Sequence, residues 1–400
     1  MRCVLPRLLA AAAMVLSPAT ATAAGDEDDF ALPTYAGAYQ PQDRDERGMW
    51  AEADEHERIL RDSDLVIRDG PMNDYVRGVL CRTVGEDRCT GVRTYIVRAP
   101  AFNASMAPNG TMRVFTGLLL RAQSEAELAS VLGHEFAHFE QRHSLRRFQA
   151  RRTGSDLLAW ATVLGAAAAN YGGYRHTQDV QLAVYGDLFR FSRDQEREAD
   201  LLGFAYMREA GFRPAAAAHV WKALMDEDDS TAADRGRRSR RYNNVAFFAS
   251  HPTQFERADT LGTLAEAVGG GTHDGHDEHR RAIAPFLTDW LAEELAMNDF
   301  GGTDYVIERL LQSQETAAAY HARGELHRQR GHPRDLVNAA GFYRRALELD
   351  RDHTESYRGL GLSLFRSGER PLGTDALRTY LELHPDASDA AMLRMMVGEN

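Results

Sequence analysis

The sequence predicts an α+β fold, in which a mainly helical domain with a small β-sheet precedes an all-α domain of helical repeats. Three observations predict it. Apolar residues recur at helical spacing along much of the 400-residue chain, as at Leu128, Val131 and Leu132. Short strand-like runs are confined to about residues 93–115. Near the C-terminus, two similar segments are offset by 34 residues.

The first residues have the pattern of a secretory signal peptide. Arg2 and Arg7 precede the apolar run 8–16, and small residues that follow it provide a cleavage site. The run is too short to span a bilayer, so we expect residues 1–24 to be removed and the mature chain to be exported and soluble. A flexible tail, residues 25–45, is expected to precede the folded chain.

Two short strands and a turn are predicted next. Residues 93–98 and 102–106 have strand composition, and Pro108-Asn109-Gly110 is a turn sequence that leads into residues 112–115. These segments predict the small sheet.

The most informative stretch is His134-Glu135-Phe136-Ala137-His138. Ser124 followed by Glu127 is the pattern of a helix N-cap, and no Gly/Pro pair interrupts the helix before about Arg147. Histidines four apart project from one helix face and can share one metal ion, and the adjacent glutamate is placed to take a proton from metal-bound water. The alternative is a helix with two ordinary surface histidines.

A second helix, predicted from about Asp187 to Gly211, supplies the expected third metal ligand. Glu196 and Asp200 lie four apart on a face that continues apolar, where a carboxylate pair is costly unless it binds something. We therefore predict that Glu196 is the third zinc ligand and that Asp200 accepts a hydrogen bond from a ligand histidine. Glu198 is expected to be solvated. The alternative is an exposed charged helix with intrahelical ion pairs.

These motifs together resemble the gluzincin peptidases, and one branch closely: the CAAX-prenyl protease, HtpX and Oma-type zinc metallopeptidases of peptidase family M48. The resemblance runs from about residue 49 to residue 267, and beyond the motif at 134–138 it rests on Phe191–Asp200, Asn103–Gly110 and His251-Pro252 with Arg257. It implies a zincin-like fold and peptide hydrolysis with Glu135 as general base. It also implies one Zn²⁺ per subunit, held by His134, His138 and Glu196.

The resemblance implies roles for three further features. It assigns the edge of the substrate cleft to Asn103, Ala104, Ser105 and Met106, where a free strand edge can bind an extended substrate through its backbone. A plain hairpin packed on the core is the alternative. His251 is expected to stabilise the oxyanion or to bind the metal in a resting state. Arg257 is expected either to support the oxyanion or to form an ordinary ion pair.

The net charge and the cysteine content limit the possible partners and the cellular compartment. A net charge of -12 argues against a nucleic-acid partner. After the signal, the remaining cysteines are Cys81 and Cys89, which are expected to close a small disulfide loop in an oxidising compartment. The apolar stretch Leu157–Ala169 is shorter than a membrane span and is expected to be a buried helix or an interfacial lid, which leaves peripheral membrane contact open.

The acidic run Asp226–Asp229 and the basic run Arg235–Arg241 together predict a mobile loop that leads to His251, within residues 226–250. A solvated loop is the expectation, and a lid over the cleft is the alternative.

A Gly/His-rich linker, residues 269–280, is expected to divide the chain. It is predicted to be solvated, rather than to bind a metal through His273, His276 and His279. The predicted peptidase domain is then residues 46–268, and residues 281–400 form the helical domain.

The helical domain has the period of tetratricopeptide repeats (TPR). Leu347–Asp350 and Leu381–His384 are offset by 34 residues, and helices at 286–295 and 305–311 are expected to form a degenerate third unit against the peptidase domain. Stacked helical pairs form a curved surface that usually binds proteins, whereas a purely structural cap is the alternative.

Signal, zinc peptidase and TPR in one chain resemble a periplasmic branch of the family. This implies hydrolysis of misfolded or misassembled outer-membrane proteins, with the repeats recruiting substrates or the outer-membrane assembly machinery. The alternative function is a TPR-mediated chaperone or scaffold of envelope protein assembly with a mostly latent protease site. A purely structural zinc is disfavoured because two histidines and one carboxylate leave a coordination position open.

Overall fold

The structure is a computed structural model that describes residues 40–152, 191–240 and 253–399, together with residues 32 and 37. The predicted signal peptide, the apolar stretch Leu157–Ala169 and His251 lie outside the described residues.

The described chain confirms the predicted α+β class, with a small sheet among helices and a helical C-terminal region. The first part contains α1 (Arg44–Asp62), α2 (Gly70–Val84), α3 (Glu86–Cys89), β1 (Arg93–Val97), β2 (Ala104–Met106), β3 (Thr111–Phe115), α4 (Thr116–Arg121), α5 (Glu125–Glu140) and α6 (His143–Arg152). The middle part contains α7 (Arg193–Glu209), α8 (Ala216–Asp234), α9 (Gln254–Val268), α10 (His276–Ile283), the 3₁₀ turn Ala284–Phe286, α11 (Leu287–Leu295) and α12 (Phe300–Ser313). The C-terminal helices are α13 (Ala317–Arg330), α14 (Pro333–Leu349), α15 (Thr354–Ser367), α16 (Arg370–Leu383) and α17 (Ala390–Val397).

The sheet has the strand order β1-β3-β2, in which β3 pairs in parallel with β1 and antiparallel with β2. All five residues of β3 are buried, as its central position requires. The predicted turn at 108–110 is present, and Gly110 adopts a φ of +87° that favours glycine. Strand β2 therefore forms one edge of the sheet.

Helix α5 begins where the sequence predicts. Ser124 is the N-cap, and its side chain accepts a hydrogen bond from the Glu127 backbone N–H. The Glu127 carboxylate accepts from the Gln123 backbone N–H rather than from that of Ser124. The helix ends at Glu140, earlier than the predicted Arg147, because the chain turns at Arg142 with a φ of +53° before α6 begins.

The predicted start of α7 near Asp187 was wrong, because the helix begins at Arg193. Ser192 and Gln195 form a capping box. Ser192 Oγ accepts a hydrogen bond from the Gln195 backbone N–H, and Gln195 Oε1 accepts one from the Ser192 backbone N–H. At its C-terminal end the helix stops before Gly211, which adopts a φ of +77°.

The acidic half of the predicted 226–250 loop is helical, since α8 continues to Asp234. Arg121 holds Glu227, and Thr231 Oγ1 donates to Asp299 at 2.8 Å, so tertiary contacts extend the helix through the acidic run. Residues 241–250 lie outside the described residues.

The predicted solvated linker at 269–280 is instead packed against the peptidase helices. His273 exchanges backbone hydrogen bonds with Gly211 and Arg213, and His279 is fully buried. The His279 ring bonds to the Tyr75 hydroxyl at 2.8 Å and to the Leu119 carbonyl at 2.9 Å. Glycine permits this approach, because a Cβ on Gly271 would lie 2.2 Å from the Phe212 carbonyl oxygen.

A buried ion network joins α4, α8 and α11. The Arg121 guanidinium pairs with Glu227 at 2.7 Å and with Glu294 at 2.8 Å. It therefore ties the C-terminal region to the helices that precede it.

The C-terminal helices pack as successive hairpins. The buried Tyr343 ring of α14 lies against Gly324 of α13 and Gly359 of α15, where added Cβ atoms would meet the ring at 2.7 Å and 2.3 Å. Small residues thus allow three helices to share one core. In the described ranges, no helix has the length and apolar character that a membrane crossing needs.

Candidate metal centre

The candidate site lies where α5 packs against α7, and glycines set the distance between the two helices. A Cβ added to Gly203 of α7 would lie 2.7 Å from the backbone nitrogen of His134. One added to Gly133 of α5 would lie 3.2 Å from the carbonyl oxygen of Gly203. Glu196 is two turns before Gly203, so the same close approach brings its carboxylate to the histidines of α5.

Three buried side chains converge at this contact: His134, His138 and Glu196. The two histidine Nε2 atoms are 3.1 Å apart, and each lies 3.5 Å from a Glu196 carboxylate oxygen. A tetrahedral zinc with ligand bonds of about 2.0–2.1 Å separates its ligand atoms by about 3.3 Å, so this set fits the ion. Within the described ranges, it is the one cluster of three or more such side chains with metal-ligand spacing.

Asp200 supports His134 from behind. Its carboxylate lies 2.9 Å from His134 Nδ1 and also accepts hydrogen bonds from the Arg257 guanidinium, which stacks 3.7 Å from the Trp221 ring centroid. Arg257 Nη2 also lies 2.9 Å from His134 Nδ1, so Asp200 and Arg257 both face that nitrogen. The Asp200–Arg257 pair favours the ion-pair alternative for Arg257.

Opposite charges in this group shift the pKa values of one another. Burial alone would raise the pKa of Asp200, but Arg257 and His134 hold it below its usual value. Burial and Arg257 would lower the pKa of His134, yet Asp200 and Glu196 raise it to about 9. The carboxylates therefore stabilise positive charge at the place where a cation would bind.

Glu135 is buried beside this group. Burial raises the pKa of Glu135 to about 7; His134 opposes the rise, and Glu196 adds to it. A carboxyl group that titrates near neutral pH can both accept and release a proton, which is what a general base requires.

His138 is held between two rings. Phe191 stacks on it with centroids 3.9 Å apart, and its Nδ1 lies 2.8 Å from Nδ1 of the fully buried His143. Burial lowers the pKa of His138 to about 3, although Glu196 opposes this, and burial also lowers the pKa of His143. Both imidazoles are therefore neutral near pH 7.

Glu198 is partly exposed, but it also has a buried hydrogen-bond partner that the sequence did not indicate. Its carboxylate bonds to His143 Nε2 at 3.1 Å and to Arg146 at 3.2 Å. Sequence reasoning also missed His143, although its position five residues after His138 was a signal. A turn, rather than continuous helix, brings it back towards His138.

The predicted substrate edge lies beside α5, against which β2 packs. The Asn103 carbonyl accepts from the Phe115 N–H of β3, and the Ala107 N–H donates to the Thr111 carbonyl. Because hydrogen-bonded and non-hydrogen-bonded pairs alternate along an antiparallel pair of strands, the backbone N–H and C=O groups of Ala104 and Met106 point away from β3. Asn103, Ala104 and Met106 have buried side chains, and Ser105 Oγ accepts from Arg113 Nε at 3.0 Å.

Cys81 and Cys89 lie at the ends of α2 and α3 with Cα atoms 5.0 Å apart and sulfurs at bonding distance. They are remote from the metal donors in sequence and belong to different helices. His251, predicted to complete the site, lies outside the described residues.

Comparison with known proteins agrees with this geometry. Residues 86–265 match the model of peptidase family M48, which confirms the resemblance inferred from the sequence. A Vibrio cholerae protein that carries the name beta-barrel assembly-enhancing protease is 35% identical over 179 residues. The aligned region covers 44% of this chain and 37% of that protein. The mitochondrial metalloendopeptidase OMA1 of Schizosaccharomyces pombe is 31% identical over 47% of this chain and 51% of its own length.

The beta-barrel assembly-enhancing protease of Escherichia coli is 24% identical over 56% of this chain and 50% of its own length. The chain thus spans about half or less of the length of these relatives.

Proposed function

We propose that this chain is a zinc-dependent metalloendopeptidase that hydrolyses misfolded or misassembled envelope proteins, since residues 86–265 match the model of peptidase family M48. The observation that carries the proposal is the convergence of His134, His138 and Glu196 beside the buried Glu135. Two imidazoles and one carboxylate are the donor set of catalytic rather than structural zinc sites.

Each residue of the site has a separate role in the proposed hydrolysis. His134, His138 and Glu196 would hold zinc, which when bound supplies Lewis acidity to polarise the scissile carbonyl and to acidify water. The Glu135 carboxylate takes a proton from the attacking water and returns it to the leaving amine. Asp200 orients His134 by accepting a hydrogen bond from its Nδ1–H. His251 is proposed to assist the oxyanion or to bind the resting metal.

The edge strand β2 is proposed to bind the substrate in an extended form. The outward backbone groups of Ala104 and Met106 support this, because they can pair with a peptide irrespective of its side chains. Ala104→Pro removes one outward N–H and should raise KM with little change in kcat, whereas Ala104→Ser keeps the N–H and should behave as wild type. Equal KM values for the two variants would argue for the plain hairpin.

The decisive test separates metal binding from chemistry. Glu135→Gln should retain one zinc per chain by metal analysis and lose cleavage of an unfolded substrate. Glu196→Gln should lose both. Wild-type cleavage by Glu135→Gln would refute the proposal.

We further propose that the chain acts in the periplasm and that its helical hairpins are TPR units that recruit substrates or the outer-membrane assembly machinery. The signal-like N-terminus, the paired Cys81 and Cys89, and the packing of Tyr343 between helices support this. The names of two relatives refer to beta-barrel assembly, which is consistent with envelope substrates.

Crosslinking of the Glu135→Gln protein in its native compartment should trap envelope proteins. If that variant instead rescues a deletion as well as wild type does, the chaperone function is the correct one.

A further inference from the structure

His143 occupies a position that the chain reaches only through an unfavourable turn. Arg142 adopts a φ of +53°, a left-handed conformation that costs a residue other than glycine about 1 kcal/mol or more. This turn ends α5 and starts α6 at His143, so that the His143 ring meets His138 edge-on with centroids 4.9 Å apart. Gln195 Nε2 donates to the His143 carbonyl at 3.3 Å and fixes the backbone there.

The hydrogen bonds around these two histidines fix the protons. His138 Nε2 faces His134 and Glu196, so it is the atom available to a metal, and Nδ1 must carry the proton. That N–H points at His143 Nδ1, 2.8 Å away, which accepts it only if the His143 proton is on Nε2. His143 Nε2–H then donates to the Glu198 carboxylate at 3.1 Å. One tautomer of each ring is consistent with both the His138–His143 and the His143–Glu198 hydrogen bonds.

The two histidine ligands are therefore supported differently. His134 reaches a carboxylate directly, through Asp200, which is buried and paired with Arg257. His138 reaches its carboxylate through one intervening ring. The outer carboxylate, Glu198, has a side chain that is 41% exposed, so this support extends from the buried site to the protein surface.

We propose that His143 and Glu198 are positioning residues that set the tautomer and orientation of His138 for metal binding. The proposal rests on the proposed metal site and adds to it a carboxylate–histidine–histidine relay. Carboxylate support of a metal-bound histidine typically changes metal affinity by about 10- to 100-fold.

The test is zinc affinity, measured by competition with a chromophoric chelator on the full chain. His143→Phe keeps an aromatic ring beside Phe191 but cannot accept from His138, and it should weaken zinc binding by about 10- to 100-fold. His143→Asn offers an oxygen where Nδ1 was and should recover most of the affinity, which a purely structural role would not explain. Glu198→Leu should weaken binding, whereas Glu198→Gln should have a smaller effect because its amide oxygen still accepts.

Two controls isolate the relay. Arg146→Met removes the other partner of Glu198, and Glu209→Gln changes an exposed carboxylate on the same helix. Both should bind zinc as wild type does. Absorption spectra of the Co²⁺-substituted proteins should change in His143→Phe and in neither control.

The outcomes distinguish this inference from the proposed function. Wild-type zinc affinity in both His143→Phe and Glu198→Leu would overturn the relay and leave the peptidase proposal intact. Failure of the wild-type chain to bind zinc would overturn the proposed function itself. If His143→Phe does not fold, Glu198→Leu decides the matter, since its half-exposed site tolerates substitution.

Discussion

The close approach of α5 and α7 predicts a specific effect of adding one methyl group to Gly203. The new Cβ would lie 2.7 Å from the His134 nitrogen, and about 0.7 Å of movement is needed to reach the 3.4 Å of ordinary contact. Both atoms are part of helices, so the helices must separate. Overpacking of this kind costs about 1–3 kcal/mol, which outweighs the roughly 0.5–1 kcal/mol that alanine gains over glycine in a helix.

The same movement should reach the metal donors. Metal sites tolerate ligand displacements of about 0.2 Å, so a separation several times larger should weaken zinc binding by about tenfold or more. Gly203→Ala should therefore lower the urea midpoint of the metal-free protein and reduce zinc affinity in chelator competition. Gly78→Ala, in α2 with no atom within 4 Å of the added Cβ, is the matched control and should be stabilised. If Gly203→Ala is stabilised like Gly78→Ala and binds zinc like wild type, the reasoning is refuted.

Two further predictions concern stability. The donors Arg93, Tyr95 and Thr111 hold the pKa of Glu57 at about 2, against burial that alone would raise it from 4.5. This stabilisation is complete above the unfolded-state pKa and is lost as pH falls towards 2, so Glu57→Gln should lower the urea midpoint at pH 7 by an amount that shrinks below pH 4.5. If the difference in urea midpoint between Glu57→Gln and wild type does not change with pH, this prediction is contradicted. Arg121→Ala leaves Glu227 and Glu294 without their shared cation and should destabilise the chain by about 3–5 kcal/mol in urea unfolding; a loss below 1 kcal/mol would show that water or other groups replace it.

Sequence patterns predicted the elements whose signals are local. The Ser124 cap, the turn before Gly110 and the alternation of helices with one small sheet all follow from side chains a few residues apart. The start of α7 was placed too early in the sequence, although Ser192 and Gln195 are residues of a capping box. The side chains of a cap therefore locate a helix start more closely than the extent of a helical segment does.

Contacts between distant elements could not be predicted in the same way. Burial of His279 depends on Tyr75 and the Leu119 carbonyl, which lie more than 150 residues earlier in the chain. The helical state of 226–234 depends on partners such as Arg121 and Asp299. The contact of Glu198 with His143 could not be predicted, because the sequence does not reveal that α6 turns back beside α7. In each case tertiary contact overrides a local preference for solvent.

The three carboxylates that contact the histidines of the candidate site all lie on α7. This helix carries Glu196 in the donor set, Asp200 behind His134, and Glu198 at the end of the His143 relay. Both histidines lie on α5, so a change in the distance between the two helices alters one ligand and both supports together. Loss of an individual support should leave a weakened site, whereas a change at Gly203 should affect all three contacts. The glycine contact therefore positions Glu196, Asp200 and Glu198 together against the histidines of α5, although Gly203 itself is not a metal donor.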